Sequence, residues 1–171
     1  DSLCHTFGTM ATGGFSTQNL SIGQYNNWIF DVIIIIFMFL AGVNFSLHYR
    51  ALRGDFKGYL QDAEFRFYCF MLLFCTGLIF WNTMSVKVGD KVVYDSFGDS
   101  LRYSTFQVFS IITTTGYGTA DFEKWPYLSQ FILIILMFFG GCAGSTGGGM
   151  KQVRLLLVIK LAYAEVQQLI L

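Results

Sequence analysis

Three runs of the chain carry no charged side chain: Val32 to Tyr49, Phe67 to Val86 and Trp125 to Met150. As helices each is about long enough to cross a hydrocarbon core of roughly 30 Å, and the first extends back to Trp28 past a lone Asp31. Such segments have few ways to fold, because in lipid every backbone N–H and C=O must find a partner inside the protein. The composition closes the soluble alternative. Charged residues make up 13% of the chain, against roughly 25% in soluble domains, and hydrophobic residues reach 54% before the 18 glycines are counted. A formal net charge of zero gives no basic face for nucleic acid, and low charge with high apolar content excludes disorder. The sequence opens at Asp1 without a Met or a basic leader and stops at Leu171 within a helix-like run, so it reads as a fragment.

Arg50, Arg53, Lys57 and Arg66, set against Asp55, Asp62 and Glu64, lie between the first two runs, and Lys151, Arg154 and Lys160 follow the third. Basic residues gather on the cytoplasmic side, which puts 51–66 and 151–171 inside. The segment between the second and third runs holds Asp90, Asp95, Asp99, Asp121 and Glu123, is bounded by Trp81 and Trp125 as interfacial belts, and is placed outside. A fourth uncharged stretch, Tyr103 to Ala120, breaks this parity if it crosses. It is expected to enter and leave on one side. A helix capped by Asp99 or Ser100, with Phe106, Phe109 and Ile112 or Ile111 at helical spacing, would descend for about 12 residues, roughly 18 Å, and give way to a non-helical TTTGYGT.

Non-helical backbone at membrane depth is tolerated only where protein buries it or water reaches it, and coordination of a cation is a reason to keep it. Carbonyls and threonine hydroxyls aimed at one axis replace a hydration shell. Thr114, Thr115, Gly116, Tyr117 and Gly118 have that composition, with Tyr117 packing away from the axis to hold the loop open. A plain Gly-Thr turn is the alternative. The chain repeats the pattern 102 residues earlier: TGGFST at 12–17 lies over TTGYGT at 114–119, pairing Thr12 with Thr114, Gly14 with Gly116, Phe15 with Tyr117 and Thr17 with Thr119. Each loop is followed by a tryptophan and an apolar helix. The fold class is therefore all-α integral membrane, built from helix, re-entrant loop and helix. Residues 1–50 are the end of one unit, 51–66 a cytoplasmic loop, and 67–171 the next unit with its outer helix, extracellular segment, pore helix, loop and broken inner helix.

That last break is placed at GGCAGSTGGG, residues 140–149, where six glycines stand in ten positions. Each costs roughly 1 kcal/mol against alanine in a helix, and Gly140 would sit about 22 Å below Trp125, beneath the loops. A flexible constriction there is a gate; close helix packing through Gly140 and Gly144 as GxxxG is the alternative. A phosphate-binding reading fails, because Met150, Lys151 and Gln152 follow where Lys and Ser or Thr would be needed.

TGGFST, TTTGYGTADF and above all FFGGCAGSTGGGMKQVR resemble the Trk/Ktr/HKT superfamily of potassium transporters, most closely its bacterial Trk branch. The resemblance covers essentially the whole sequence, as part of repeat two and all of repeat three. It implies four such repeats folded into a pseudo-tetrameric, potassium-channel-like pore in the cell inner membrane. Potassium is then the substrate, held by Thr12, Gly13, Gly14, Thr114, Thr115 and Gly116, with Phe15 and Tyr117 completing the filter. It further implies that Gly140, Gly141, Gly144, Ser145, Thr146, Gly147, Gly148, Gly149 and Lys151 form a gating loop, that subunits pair as homodimers, and that a cytosolic nucleotide-binding regulatory subunit of Trk type docks on the inner face. No cofactor is expected. The repeats are unequal, Gly13 standing where Thr115 does and Ser16 where Gly118 does.

Among the remaining residues, Asp31 is expected at an interface or outer vestibule and His5 and His48 in structural positions. Asn44 and Ser46 are expected to face a cavity or a neighbouring helix, and Lys151 and Arg154 to end the last span, with Lys151 able to bias the gate. Cys4, Cys69, Cys75 and Cys142 have neither CxxC nor zinc spacing, and those in apolar runs read as packed hydrophobes. A tetrameric channel and a sodium- and potassium-permeable transporter of the same superfamily are the alternatives within transport; two different loops on one chain argue against the first. A membrane enzyme would need a clustered acid, base or metal set, and Asp31, His48 and Lys151 are far apart on the chain.

Overall fold

The structure, a computed structural model, describes residues 1–85, 87–88, 91–92, 94 and 96–170. Val86 at the end of the second apolar run, Asp90 and Asp95 of the acidic segment, and Leu171 lie outside the described residues.

Among the described residues the regular structure is helical apart from one short antiparallel hairpin, β1 (Lys87–Val88) with β2 (Lys91–Val92), in which Lys87 pairs with Val92. The helices are α1 (Ser2–Met10), α2 (Trp28–Ala41), α3 (Phe45–Leu52), α4 (Lys57–Gln61), α5 (Ala63–Ser85), α6 (Phe97–Ile112), α7 (Tyr127–Leu136) and α8 (Gln152–Ile170). Their order repeats. α1 leads into an irregular loop, a 3₁₀ turn at Ser21–Tyr25, α2, a break and α3; α6 leads into an irregular loop, a 3₁₀ turn at Phe122–Lys124, α7, a break and α8.

α5 is apolar on every side, as a helix surrounded by lipid and protein must be. Asp62 starts it by accepting the Phe65 N–H at 2.6 Å, and its 23 residues reach about 34 Å. Tyr68, Leu72, Cys75 and Ile79 form one buried stripe against Val108, Ile111, Ile112, Leu133 and Leu136 of α6 and α7. Phe70, Leu73, Phe74 and Trp81 stay exposed on the other side, a patch that suits hydrocarbon and not water. α6 packs against α5, α2 and α7. It begins at Phe97 after Ser96, with Asp99 in its first turn where the helix dipole favours a carboxylate. It therefore starts earlier than the expected cap at Asp99 or Ser100, and its 16 residues span about 24 Å.

Two of the three apolar runs are not continuous helices. The first is cut after Ala41, and α3 leaves at 98° to α2. Asn44, expected to face a cavity or a helix, caps α3 by accepting the Ser46 N–H at 2.9 Å and lies beside Gly144. The third run is helical only over α7, so its break begins before Gly140. Among the described residues α5 alone is one helix long and apolar enough to cross a membrane, and α2 with α3 qualifies as a bent pair. Trp125 packs inside the protein, 2% exposed, and its indole N–H donates to the Tyr94 hydroxyl at 3.1 Å. Cys75 and Cys142 are buried as expected of packed hydrophobes, while Cys4 is exposed.

Candidate functional site

Each of the two TG-containing loops emerges from the C-terminal end of a helix and turns its N–H groups back onto that helix. Thr12 N–H donates to Thr9 O at 3.2 Å and Gly13 N–H to Gly8 O at 2.8 Å. In the second loop Thr114 N–H donates to Ile111 O at 2.9 Å, while Thr115 N–H and Gly116 N–H share Ser110 O at 2.9 and 3.1 Å. The carbonyls of Thr12, Gly13, Gly14, Thr114, Thr115 and Gly116 accept no hydrogen bond from any described residue. These are oxygens with lone pairs to offer.

The backbone conformation that produces this is left-handed at alternate residues. Thr12 and Gly14 have φ of 51° and 65°, and Thr114 and Gly116 have 59° and 83°. A β-branched residue at positive φ is an outlier, and here it occurs at the same place in both loops. Gly14 is required twice over, since besides its φ a Cβ there would land on the Thr115 carbonyl. The two loops therefore lie directly side by side.

Their aromatic residues differ. Tyr117 is 1% exposed and its hydroxyl donates to His5 O of α1 at 3.2 Å. Phe15, at the matching position, is 83% exposed. His5 is structural: one ring nitrogen meets Asp1 O at 3.0 Å and the other Ser16 Oγ at 2.9 Å.

The glycine segment closes on itself and then on everything around it. Gly140 N–H donates to Met150 O at 2.9 Å and Met150 N–H to Phe138 O at 3.1 Å, with the Gln152 side-chain amide donating to Gly140 O at 2.7 Å. A Cβ on Gly140 would strike the Gly148 carbonyl. The break in the first apolar run is occupied by this segment: Cys142 N–H donates to Gly42 O at 2.9 Å, Thr146 N–H to Ala41 O at 3.2 Å, and Phe45 N–H to Gly144 O at 3.0 Å. Carbonyls that would continue α2 are diverted to the segment, so the helix ends. The segment also touches both loops, because the Thr12 hydroxyl donates to Thr146 O at 3.0 Å and the Thr114 hydroxyl accepts Gly148 N–H at 2.6 Å. Lys151 Nζ donates to Gly147 O. Both loops and the glycine segment thus form one assembly.

The family model for TrkH, a cation transport protein, matches residues 1–171. The chain belongs to the TrkH family. Among its relatives, the Trk system potassium uptake protein TrkH of Halomonas elongata is 41% identical over 171 residues, covering 99% of this chain and 34% of that protein. The protein of the same name from Escherichia coli K12 is 37% identical over 174 residues, covering 99% of this chain and 34% of that protein. The crystal structure of the potassium transporter TrkH from Vibrio parahaemolyticus superposes with a TM-score of 0.90 at 35% identity, covering 99% of this chain and 36% of that one. The chain spans about one third of the length of the relatives it matches, and it shares the all-α membrane architecture of the solved TrkH transporter.

In this TrkH-family chain several residues take positions the sequence did not indicate. Asp31 is not in a vestibule: it is 1% exposed, and Arg102 Nε of α6 donates to its Oδ2 at 2.6 Å. The pair joins α2 to α6. Its two residues lie 71 apart in sequence, and periodicity carries no signal for such a contact. His48 bridges the bent pair, with its ring nitrogens 2.9 Å from Leu40 O and 2.7 Å from the Tyr59 hydroxyl. Glu64, counted among cytoplasmic charges, reaches the glycine segment, where one carboxylate oxygen accepts the N–H groups of Ala143 at 2.7 Å and Val153 at 2.9 Å. Gln152 is fully buried at the neck of the segment. It was legible in principle, as a polar side chain directly after a glycine run. Among the described residues no group of His, Cys, Asp and Glu is arranged to hold a metal ion.

Proposed function

We propose that the full-length protein takes up potassium across the cytoplasmic membrane through a carbonyl-lined filter, with the glycine segment as an intramembrane gate beneath it. The observation that carries this reading is the set of carbonyls on Thr12, Gly13, Gly14, Thr114, Thr115 and Gly116 left without hydrogen-bond donors while five of the same six residues tie their N–H groups back to the preceding helix. Oxygens held in that state offer a dehydrated cation a replacement for its water shell at little reorganisation cost. The side-by-side placement of the loops supplies ligands from two directions, and a pore of this kind needs further units around the axis. Potassium as the cargo is supported by the printed function of the relatives, uptake of that ion.

The gate reading is supported by the hydrogen bonds from Thr12 to Thr146 and from Thr114 to Gly148, which lay the segment against the filter threonines. Its irregular backbone can rearrange without unwinding a helix. The protein is placed in the inner membrane with several crossings, 51–66 and 151–171 facing the cytoplasm. Homodimer formation and docking of a cytosolic nucleotide-binding Trk subunit on that face belong to the same reading; the relatives' designation as parts of a Trk system supports association with other Trk components. No covalent chemistry is involved.

The test is growth of potassium-uptake-deficient cells on low potassium with the full-length protein, using Gly116→Asp as the comparison. Asp at that positive φ is strained and adds a carboxylate among the carbonyls. Growth restored by the native protein and lost with Gly116→Asp is expected; equal growth of the two would refute the filter.

A further inference from the structure

We infer that Glu64 is a positioning residue for the glycine segment, a clamp that pins Ala143 to the first turn of α8 and so keeps the segment lying under the filter loops. The inference rests on the gate reading above and names the group that holds the gate in place.

Glu64 lies in the first turn of α5, at 23 residues the longest helix among the described residues, and Asp62 fixes that turn by capping Phe65 N–H at 2.6 Å. The anchor is therefore rigid. Its Oε1 accepts two amides that nothing else satisfies: Ala143 N–H at 2.7 Å and Val153 N–H at 2.9 Å. The first lies in the middle of the glycine segment, ten residues before the second, which is in the opening turn of α8. A helix N-terminus leaves N–H groups without intrahelical partners, and the residue before α8 is Lys151, whose side chain has no oxygen to offer them. Glu64 supplies that cap from another helix, with the charge sign the helix dipole favours. Because the same oxygen also holds Ala143, the ends of a hinge are tied to a single point. Charge-assisted bonds of this length are roughly twice as strong as neutral ones. For the segment to swing aside, Ala143 must leave the carboxylate, while Val153 keeps α8 seated.

The clamp has its own readout, independent of ion flux. Hydrogen–deuterium exchange on the purified full-length protein follows the amides of 140–155, and rubidium flux into proteoliposomes follows the gate. Glu64→Ala is expected to speed exchange at Ala143 and Val153 by about tenfold, each amide losing one charged hydrogen bond. Exchange around 110–118 should stay at the native rate, basal flux should rise several-fold, and potassium-to-sodium preference should not change. Glu64→Gln keeps an acceptor oxygen at the same reach and is expected to restore most of the protection. Should Glu64→Ala fail to fold, Glu64→Asp gives the same comparison, since its shorter arm cannot hold both amides. Native exchange at Ala143 and Val153 in Glu64→Ala, or in Glu64→Asp where that replaces it, would overturn the clamp, whatever Gly116→Asp does to transport. Faster exchange with unchanged flux would support the clamp and remove the gate from the function proposed above.

Discussion

The ion pair between Asp31 and Arg102 makes a prediction whose size follows from its geometry. Asp31 is 1% and Arg102 18% exposed, with 2.6 Å between Nε and Oδ2. That spacing puts the charge centres about 4 Å apart, where attraction is about 4 kcal/mol at an effective dielectric near 20. Asp31→Asn keeps the shape and removes the charge, leaving a guanidinium facing a neutral amide in an apolar environment. Loss of one partner of a buried pair costs about 3–5 kcal/mol, whereas replacing both with apolar residues of similar volume is close to neutral. Asp31→Leu and Arg102→Met, like Asp31→Asn, should each destabilise the full-length protein strongly, and Asp31→Leu with Arg102→Met should recover most of the loss. The assay is unfolding of the purified protein in mixed micelles by SDS titration, analysed as a double-mutant cycle. A coupling energy of about 3 kcal/mol is expected; additivity within about 0.5 kcal/mol, the behaviour of independent sites, would refute the claim that the pair joins α2 to α6.

Gly140→Ala should disrupt the glycine segment, because the added Cβ meets the Gly148 backbone, and overpacking against backbone costs about 1–3 kcal/mol. Gly77→Ala in α5, where nothing lies within 4 Å of the new atom, should stabilise the protein by about 0.5–1 kcal/mol, and the two melting curves should shift in opposite directions. Tyr117→Phe removes the hydroxyl bond to His5 O and, as Phe15 shows, leaves a residue the partner loop already uses; potassium-to-sodium flux ratio should fall roughly three- to tenfold, the equivalent of one hydrogen bond, and an unchanged ratio would deny Tyr117 a part in holding the filter. At the corner between α3 and α4, the Arg50 guanidinium bonded to Asp55 holds that carboxyl below its ordinary range. A depressed pKa stabilises the folded corner above the ordinary carboxylate pKa and the effect is lost as pH falls through the folded one, so exchange of the 50–58 amides should be flat from pH 5 to 8 once corrected for the intrinsic rate and rise only below about pH 4.

The sequence by itself determined that this chain lives in lipid, since its uncharged runs and scarcity of charge admit no other solvent. It also determined that regular helix had to stop at the two TG-containing loops. TGGFST, TTGYGT and the glycine run combine residues that tolerate left-handed backbone with threonine oxygens, and the 102-residue repeat of that combination showed that two units share one design. Local chemistry suffices for such features, because a glycine or a cap acts on its own few neighbours. What the tertiary structure decided is what those irregular segments bond to. The first apolar run reads as one span, yet it breaks at Ala41 because the carbonyls there are taken by Cys142 and Thr146, about 100 residues on. Glu64 reads as one more cytoplasmic charge, yet its oxygen holds two amides of the glycine segment. Asp31 reads as a vestibule carboxylate until Arg102 is found beside it. In each case the deciding partner is remote in the chain, and a hydrogen bond or ion pair depends on distances of about 3 Å that only the packing of helices against one another can set.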